Sequence, residues 1–254
     1  MINQNNNRLV LIVRLLCLCL FISYAPTTSA QSNQEMSRDL KWITQSVEYV
    51  ALCTQVYNNA WQAVQRAAQN ESRDWVVVLD VDETVLDNSQ YAVERRAIGA
   101  DYTPESWAKW VFRKEATLVP GAKKFIDRVR SLGELAHIAY ITNRRFEHEQ
   151  ATFENLQKYD LFKPGDIILT RKGREDTKAK RRRCLETGTG RCQDSGPLVI
   201  LALIGDNIRD IMPVRGLEQA RALRQEKVPE DPNWGVKYFI LPNPTYGSWV
   251  RDYR

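Results

Sequence analysis

Two aspartates, Asp80 and Asp82, follow an apolar run directly, and their types and spacing suit them to chemistry. The run from Trp75 to Leu79 predicts a strand buried on both faces, as in a parallel sheet. Both carboxylates have the same strand parity and would face one crevice at the carboxyl end of that strand, where open α/β sheets bind ligands. A buried carboxylate there needs a metal or a partner charge. Two acids in one site also shift each other's pKa values apart, which suits one to nucleophilic attack and the other to proton transfer.

Three further polar clusters fall at the end of a predicted strand or the start of a predicted helix. Thr142, Asn143 and Arg144 follow the apolar run 138–141, where a hydroxyl and free N–H groups at a strand-to-helix turn would cradle a phosphate. Lys178 lies at a predicted helix start, and the segment 205–210 follows the apolar run 198–204. Each cluster alone is common in loops. Together with the two aspartates, in this order and at strand ends, they are a strong signal of one functional site.

Alternating apolar and amphipathic segments predict the elements that position these clusters. Strands are predicted at 75–80, 136–141, 167–169, 198–204 and 236–241, and helices near 121–132, 146–159, 176–186 and 213–225. Such alternation predicts an α/β fold with a doubly wound, Rossmann-like parallel sheet and right-handed crossovers.

Two segments lie outside this alternation. Apolar residues at three- and four-residue spacings predict one N-terminal amphipathic helix over 37–68. The aromatic-rich segment 87–118 follows the aspartate strand and predicts a small, mainly helical, cap-like insertion over the crevice. Residues 31–254 are expected to form a single domain.

The first thirty residues have the order of a signal peptide. Residues 1–14 carry two arginines and no acid, 15–25 are apolar, and 26–30 are small and polar, which predicts cleavage after Ala30. The alternative is an uncleaved anchor helix, but eleven apolar residues are too few to span a bilayer comfortably. The protein is therefore expected to be periplasmic or secreted, without stable membrane insertion after cleavage. Lipid attachment is not expected, because Cys17 and Cys19 each follow a leucine.

Charge and cysteine content narrow the function classes. The two arginines of residues 1–30 are the only charges there, so their removal lowers the formal net charge from +5 to +3, which gives no case for a specific nucleic-acid partner. The basic run within 171–183 is interpreted as a solvated face or a weak attraction for phosphorylated substrates. In an exported protein, Cys184 and Cys192 are expected to form a local disulfide, and Cys53 is expected to be a buried hydrophobe.

The four clusters resemble the four motifs of the haloacid dehalogenase superfamily of phosphotransferases. The resemblance narrows to the class C acid phosphatases, a bacterial family of secreted or lipid-anchored non-specific phosphatases. It rests on the segments 87–91, 103–110, 119–122 and 241–249 and runs from about residue 40 to the C-terminus. It implies a hydrolase that acts on small phosphomonoesters, including nucleoside 5'-monophosphates.

The resemblance also implies roles for the site residues. Asp80 would attack phosphorus to form an aspartyl-phosphate, and Asp82 would act as acid and then base. Mg²⁺ would be held by the Asp80 carboxylate, the Asp82 backbone carbonyl and the Asp206 carboxylate. Asp210 would hold a ligand water or orient Lys178.

Other implied roles concern the substrate. Thr142 and neighbouring groups, including Asn143, would grip phosphoryl oxygens, and Lys178 would neutralise charge. Trp107 and Tyr246 would flank the organic part of the substrate, unless both are core residues of the cap. The alternative hypothesis is a catalytically idle storage or polyanion-binding relative on the same fold. Oligomeric state is not predicted.

Overall fold

A five-stranded parallel sheet lies at the centre of the computed structural model, which describes residues 36–251. The strands of the described residues are, in chain order, β1 (Trp75–Leu79), β2 (Leu86–Asp87), β3 (Thr117–Leu118), β4 (Ala136–Arg145), β5 (Ile167–Arg171), β6 (Val199–Gly205) and β7 (Tyr238–Ile240). The sheet has the order β5-β4-β1-β6-β7, and β2 pairs with β3 separately in antiparallel fashion. The predicted α/β class with a parallel sheet is confirmed. The predicted signal segment 1–30 lies outside the described residues.

Helices flank the sheet and form the cap. In chain order they are α1 (Arg38–Gln45), α2 (Val47–Ala68), α3 (Ser89–Ala97), α4 (Pro104–Arg113), α5 (Ala122–Arg130), α6 (Glu149–Lys158), α7 (Lys178–Thr187), α8 (Ile208–Ile211), α9 (Gly216–Ala222), α10 (Val228–Glu230) and α11 (Ser248–Arg251). Short 3₁₀ turns lie at Phe146–His148 and Gly190–Cys192, and α9 continues into a π-helical segment, Leu223–Lys227.

Strand β1 is buried on both faces, which explains its uninterrupted apolar sequence. Trp75, Val77 and Leu79 belong to one core cluster, which also contains residues of α2 and α5. Val76 and Val78 belong to a second cluster with Leu185 of α7. Because side chains alternate along a strand, Asp80 and Asp82 continue the α7 side of β1. The first residue of α7 is Lys178, so this parity brings a cation to Asp80.

The prediction of one N-terminal helix over 37–68 is wrong, because the chain forms two helices that meet at Ser46. Ser46 is extended, with φ −82° and ψ 143°, and its hydroxyl accepts a hydrogen bond from Tyr49 N. A serine in this conformation caps the following helix, so α2 starts afresh after it. The apolar spacing continues across Ser46, which is why periodicity alone suggests a single helix.

Strand β4 runs further than predicted, and the position expected for the Thr142 cluster is therefore corrected. The cluster lies within the irregular end of β4 rather than at a strand-to-helix turn. Pairing with β5 passes from Ile141–Leu169 to Arg145–Arg171, so the three residues of the cluster face a single residue of β5. Such a bulge re-aims side chains at the edge of a site.

The segment 87–118 consists of α3, α4 and the short β2–β3 pair. Helix α4 starts with a capping box, in which the Thr103 hydroxyl accepts from Ser106 N while Pro104 occupies the first turn. Trp110 of α4 is 2% exposed and packs into the main core. The cap is thus anchored to the sheet by its buried aromatic face.

Two further findings concern covalent and membrane features. Cys184 and Cys192 form a disulfide between α7 and the Gly190–Cys192 turn, as predicted, and Cys53 is a buried free cysteine. Between residues 36 and 251, every helix is too short or too polar to cross a bilayer.

Candidate active site

Three carboxylates converge at the carboxyl edge of the sheet. Asp80 follows β1, Asp206 follows β6, and Asp210 lies in α8, and one oxygen from each falls within 4.8 Å of the others. The Asp80 backbone N–H donates to Ile204 O at 2.9 Å, which continues the β1–β6 ladder to the site. The cluster is therefore placed by two neighbouring parallel strands and the turn that follows one of them.

Gly205 permits the close approach of Asp210 to the end of β6. A Cβ atom at position 205 would lie 2.2 Å from Asp210 Oδ2 and 2.4 Å from Asp210 Cβ. Asp210 Oδ2 accepts from the backbone N–H of Asn207 at 2.9 Å, as part of the cap that starts α8. A glycine is thus required on steric grounds before the Asp-Asn turn.

Lys178 lies between two of the three acids. Its Nζ is 2.6 Å from Asp80 Oδ1 and 2.5 Å from Asp210 Oδ1, and the residue is 8% exposed. The Thr177 hydroxyl accepts from Lys180 N and caps α7, which fixes where Lys178 leaves the backbone. The ammonium neutralises one of the three negative charges that the cluster carries when it is fully ionised.

Burial and the remaining negative charge raise the pKa values of Asp80 and Asp206. Burial raises the pKa of Asp80 to about 7; the Lys178 ammonium opposes this rise, and the Asp210 and Asp82 carboxylates add to it. Removal from water, and then the Asp210 and Asp80 carboxylates, raise the pKa of Asp206 well above its usual value. Burial lowers the pKa of Lys178, but the Asp210 and Asp80 carboxylates outweigh burial and the net shift is upward. The acids therefore favour protonation unless further positive charge joins them.

The chemistry of this donor set fits a divalent cation that prefers oxygen. Three ionised carboxylates and one ammonium leave two negative charges unbalanced, and one divalent cation would balance them. Asp206 is also oriented by neutral donors, with Asn243 Nδ2 2.8 Å from Oδ2 and the Thr84 hydroxyl 3.5 Å from Oδ1. These neutral hydrogen bonds leave its charge for a ligand. The cluster could therefore hold a metal ion.

Asp82 occupies a separate environment from Asp80, although both face the same side of β1. Its Oδ1 accepts from Arg144 Nε at 2.9 Å, from Arg144 Nη2 at 2.7 Å and from Asn88 Nδ2 at 3.0 Å. Its Oδ2 lies 3.5 Å from the Thr142 hydroxyl. One acid is thus held by a lysine and the other by an arginine, so the two carboxylates have different partners.

The bulge of β4 places Thr142 beside Asp82. The Thr142 side chain is fully buried, and its hydroxyl accepts from Arg144 N at 3.1 Å. Asn143 is exposed, and its Oδ1 accepts from Arg181 Nη2 at 2.9 Å. Two residues predicted to bind phosphate thus have different surroundings: Thr142 lies against Asp82, whereas the Asn143 side chain is exposed and contacts Arg181.

The interpretation of the basic run as a solvated face is wrong for Arg181 and Arg182. Arg181 is 2% exposed and donates to Thr142 O at 2.5 Å and Leu169 O at 2.9 Å, which satisfies carbonyls around the bulge. Arg182 donates to Asp210 O at 2.6 Å. Both arginines therefore bond backbone carbonyls near the site, and Arg181 is too buried to belong to a polyanion-binding surface.

The two candidate substrate aromatics lie in different parts of the site. Trp107 of α4 is partly buried, makes an edge-to-face contact with Tyr91, and has Arg144 Cζ 5.8 Å from its ring centroid. Tyr246 is 45% exposed and belongs to the turn that also contains Asn243, the residue bonded to Asp206. Trp107 thus lies on the Asp82 side and Tyr246 on the Asp206 side.

Sequence reasoning missed two residues that hold the acids, Asn88 and Asn243, and it placed Arg144 in the phosphate cluster without predicting its contact with Asp82. Arg144 has a signal in the sequence, because it lies two residues after Thr142 and so shares its strand face. Asn88 and Asn243 contact Asp82 and Asp206 from other parts of the chain, and spacing gives no indication of either contact.

Comparison with known proteins agrees with this geometry. Residues 21–249 match the acid phosphatase family of the HAD superfamily, subfamily IIIB. The class C acid phosphatase of Bacillus anthracis with tungstate bound is 30% identical, with a TM-score of 0.70, over 85% of this chain and 88% of that one. A second structure of the Bacillus anthracis class C acid phosphatase is 28% identical, with a TM-score of 0.68, over 83% of this chain and 84% of that one. The chain therefore belongs to the HAD subfamily IIIB acid phosphatases, in which it resembles the class C enzymes, and it is a phosphomonoesterase.

Proposed function

We propose that the protein hydrolyses phosphate monoesters through a phosphoryl intermediate on Asp80. The observation that carries the proposal is the separation of the two acids: Asp80 is held by Lys178 within the acidic cluster, and Asp82 is held by Arg144 outside it. A nucleophile and a proton donor need different partners, and this arrangement supplies them.

The first step forms a bond between an Asp80 carboxylate oxygen and phosphorus. The bond from phosphorus to the ester oxygen breaks, and Asp82 gives its proton to the departing alkoxide. In the second step Asp82 takes a proton from water, the water oxygen bonds to phosphorus, and the aspartyl-phosphate bond breaks. Asp80 is then free, inorganic phosphate leaves, and Asp82 is protonated again, so the cycle closes.

Attack by Asp80 requires its ionised form. Mg²⁺, held by the Asp80 and Asp206 carboxylates and the Asp82 backbone carbonyl, with Asp210 next to them, would supply the positive charge that favours this form. Lys178, which already contacts Asp80 and Asp210, neutralises charge on the transferring group. The Thr142 hydroxyl and the backbone N–H of Asn143 contact phosphoryl oxygens. The tungstate of the Bacillus anthracis structure supports a site for a tetrahedral oxyanion.

Nucleoside 5'-monophosphates are the substrates that the surrounding aromatics favour. Trp107 lies beside Arg144, the partner of Asp82, and Tyr246 belongs to the turn that bonds Asp206 and is exposed enough to contact a ligand. Stacking on such rings stabilises a bound base by about 1–3 kcal/mol and tolerates any base. The enzyme would therefore accept several nucleotides and other small esters.

We also propose export, with cleavage after Ala30. The order of charged, apolar and small residues in 1–30 supports it, as does the Cys184–Cys192 disulfide, because such bonds persist in oxidising compartments. N-terminal sequencing of protein recovered from the periplasm or medium should begin at Gln31. Recovery of full-length protein in the cytoplasm would contradict export.

Turnover of a substrate panel tests the catalytic proposal. Purified protein with Mg²⁺ should hydrolyse p-nitrophenyl phosphate and nucleoside monophosphates, and EDTA should abolish turnover until Mg²⁺ is restored. Asp80→Asn should reduce turnover by at least about 10³-fold, since it removes the nucleophile. Asp127→Asn removes an exposed α5 carboxylate that pairs with Lys123 and is the matched control, expected to retain full activity. Activity that survives Asp80→Asn would refute the proposal.

A further inference from the structure

The contacts of Asp82 distinguish its two oxygens. Oδ1 accepts three hydrogen bonds, from Arg144 Nε, Arg144 Nη2 and Asn88 Nδ2, at 2.7–3.0 Å. All three donors are N–H groups with no acceptor capacity. Oδ2 faces the Thr142 hydroxyl at 3.5 Å. Oδ1 is therefore fully occupied by donors, and Oδ2 is the oxygen directed to the phosphate-binding side.

Asn88 has only one orientation that fits its neighbours. Its Oδ1 accepts from Trp110 Nε1 at 2.7 Å, and an indole N–H can only donate. Its Nδ2 lies 3.0 Å from Asp82 Oδ1 and 3.1 Å from Glu83 Oε1, which are both acceptors. A reversed amide would place like groups against each other at every contact, so Asn88 holds Asp82 in a fixed direction.

Arg144 is held as firmly as the acid that it contacts. Its side chain is 1% exposed, and Nη1 lies 3.3 Å from the Thr152 hydroxyl of α6. Nη2 also lies 3.4 Å from Asn88 Oδ1, and Cζ lies 5.8 Å from the Trp107 ring centroid. A planar guanidinium with several fixed donors can keep a carboxylate in one rotamer, which a single ammonium cannot do.

We propose that Arg144 is a positioning residue for proton transfer: it holds Asp82 by Oδ1, so that the proton passes between Oδ2 and the leaving oxygen of the ester. The inference rests on the proposed function, in which Asp82 is the acid. The Arg144 guanidinium contacts Asp82, Asn88, the Thr152 hydroxyl and the Trp107 ring, and of these groups Asp82 is the one that would exchange a proton with the substrate. Its effect should therefore appear only where the acid is needed.

Leaving groups of different acidity separate this role from a structural one. An alkyl phosphate needs a proton on its departing oxygen, and a general acid contributes about 10²–10⁴-fold to such a step. The p-nitrophenolate ion leaves readily without a proton. We compare kcat/KM, which reports the phosphorylation step, for glycerol phosphate and p-nitrophenyl phosphate. Arg144→Met should lower kcat/KM by about 30-fold or more for the alkyl ester and by less than about 5-fold for the aryl ester.

Three controls accompany this variant. Arg145→Met alters the adjacent exposed arginine, which contacts Glu147, and should leave the ratio of the two substrates unchanged. The inhibition constant of inorganic phosphate should stay within about twofold in Arg144→Met, because binding of inorganic phosphate requires no proton transfer to a leaving group. In an Asp82→Asn background, Arg144→Met should cause no further loss on the alkyl ester, because both changes remove the same proton transfer.

Arg144→Lys keeps the charge without the planar fork and decides the question if Arg144→Met does not fold. It should show the same selective loss on the alkyl ester, at least about 5-fold larger than the loss on the aryl ester. Equal losses on the two esters, or a further loss in the Asp82→Asn background, would overturn the inference. A protein in which Asp80→Asn remains active would instead overturn the proposed function, so the two failures are distinguishable.

Discussion

Replacing Gly205 with alanine tests whether the placement of Asp210 supports the site. The new Cβ would lie 2.4 Å from Asp210 Cβ and 2.2 Å from Asp210 Oδ2. Non-bonded carbon atoms pack at about 3.5–4.0 Å, so Asp210 must move by about 1 Å or more. Its carboxylate cannot make that movement and keep its 2.5 Å contact with Lys178 and its 2.9 Å contact with Asn207 N.

The magnitude follows from the contacts that are lost. Overpacking alone costs about 1–3 kcal/mol, and breaking a buried ion pair costs about 3–5 kcal/mol. These effects overlap, so we expect Gly205→Ala to lower the free energy of unfolding by about 3–5 kcal/mol. A 1 Å misplacement of a site group also lowers turnover by about 10²-fold, and kcat/KM should fall by that order.

Urea unfolding followed by tryptophan fluorescence, together with kcat/KM for p-nitrophenyl phosphate, measures both effects. Gly173→Ala is the matched control, since a Cβ there meets nothing within 4 Å and its φ is not in the left-handed region. That control should change stability by less than about 0.5 kcal/mol and leave activity intact. If Gly205→Ala behaved like Gly173→Ala, close packing at position 205 would not be what places Asp210. Lost stability with full activity would show that Asp210 is dispensable for catalysis.

Three other perturbations have outcomes set by the structure. In EDTA, the free energy of unfolding of the wild type relative to Asp80→Asn should fall as pH rises from 3.8 to about 7, because native Asp80 keeps a proton that the unfolded carboxyl has released. Urea titrations at several pH values measure this slope, which is at most about 1.4 kcal/mol per pH unit. A free energy that rises with pH over this range would contradict the prediction. Lys178→Met should lower kcat/KM by about 10²–10³-fold, whereas Lys180→Met, on the exposed face of α7, should not, and equal effects in steady-state assays would argue against a specific role. Trp107→Leu should raise KM for a nucleoside monophosphate by about 5- to 150-fold with little change for glycerol phosphate, and an equal rise for both would exclude base stacking.

The sheet could be predicted from the sequence because each central strand is a short apolar run between amphipathic segments. Strand β1 shows this most clearly, since burial on both faces leaves no polar position between Trp75 and Leu79. The ends of elements were less predictable. Ser46 divides two helices through its own backbone conformation and hydroxyl bond, while the apolar periodicity continues across it. The extension of β4 to Arg145 depends on its bulged pairing with β5.

The candidate site was predictable to the extent that its residues follow strand ends. Asp80, Asp206 and Lys178 lie together as expected, because parallel strands place their carboxyl ends at one edge. The residues that orient them were not predictable. Asn243 bonds Asp206 from 37 residues further along the chain, and nothing in the sequence around either residue indicates that contact. Arg181 looks like part of a solvated basic run, although it is buried against the carbonyls of the bulge.

Acid quenching during turnover tests the central claim most directly. The enzyme is mixed with a phosphate monoester labelled in the phosphoryl group, quenched in acid within one turnover, digested and analysed by mass spectrometry. We expect one phosphoryl group on the peptide that contains Asp80. It should be absent from Asp80→Asn, and Asp82→Asn should still form it while turning over more slowly. A phosphoryl group on another residue, or steady turnover with none on Asp80 at any quench time, would contradict it.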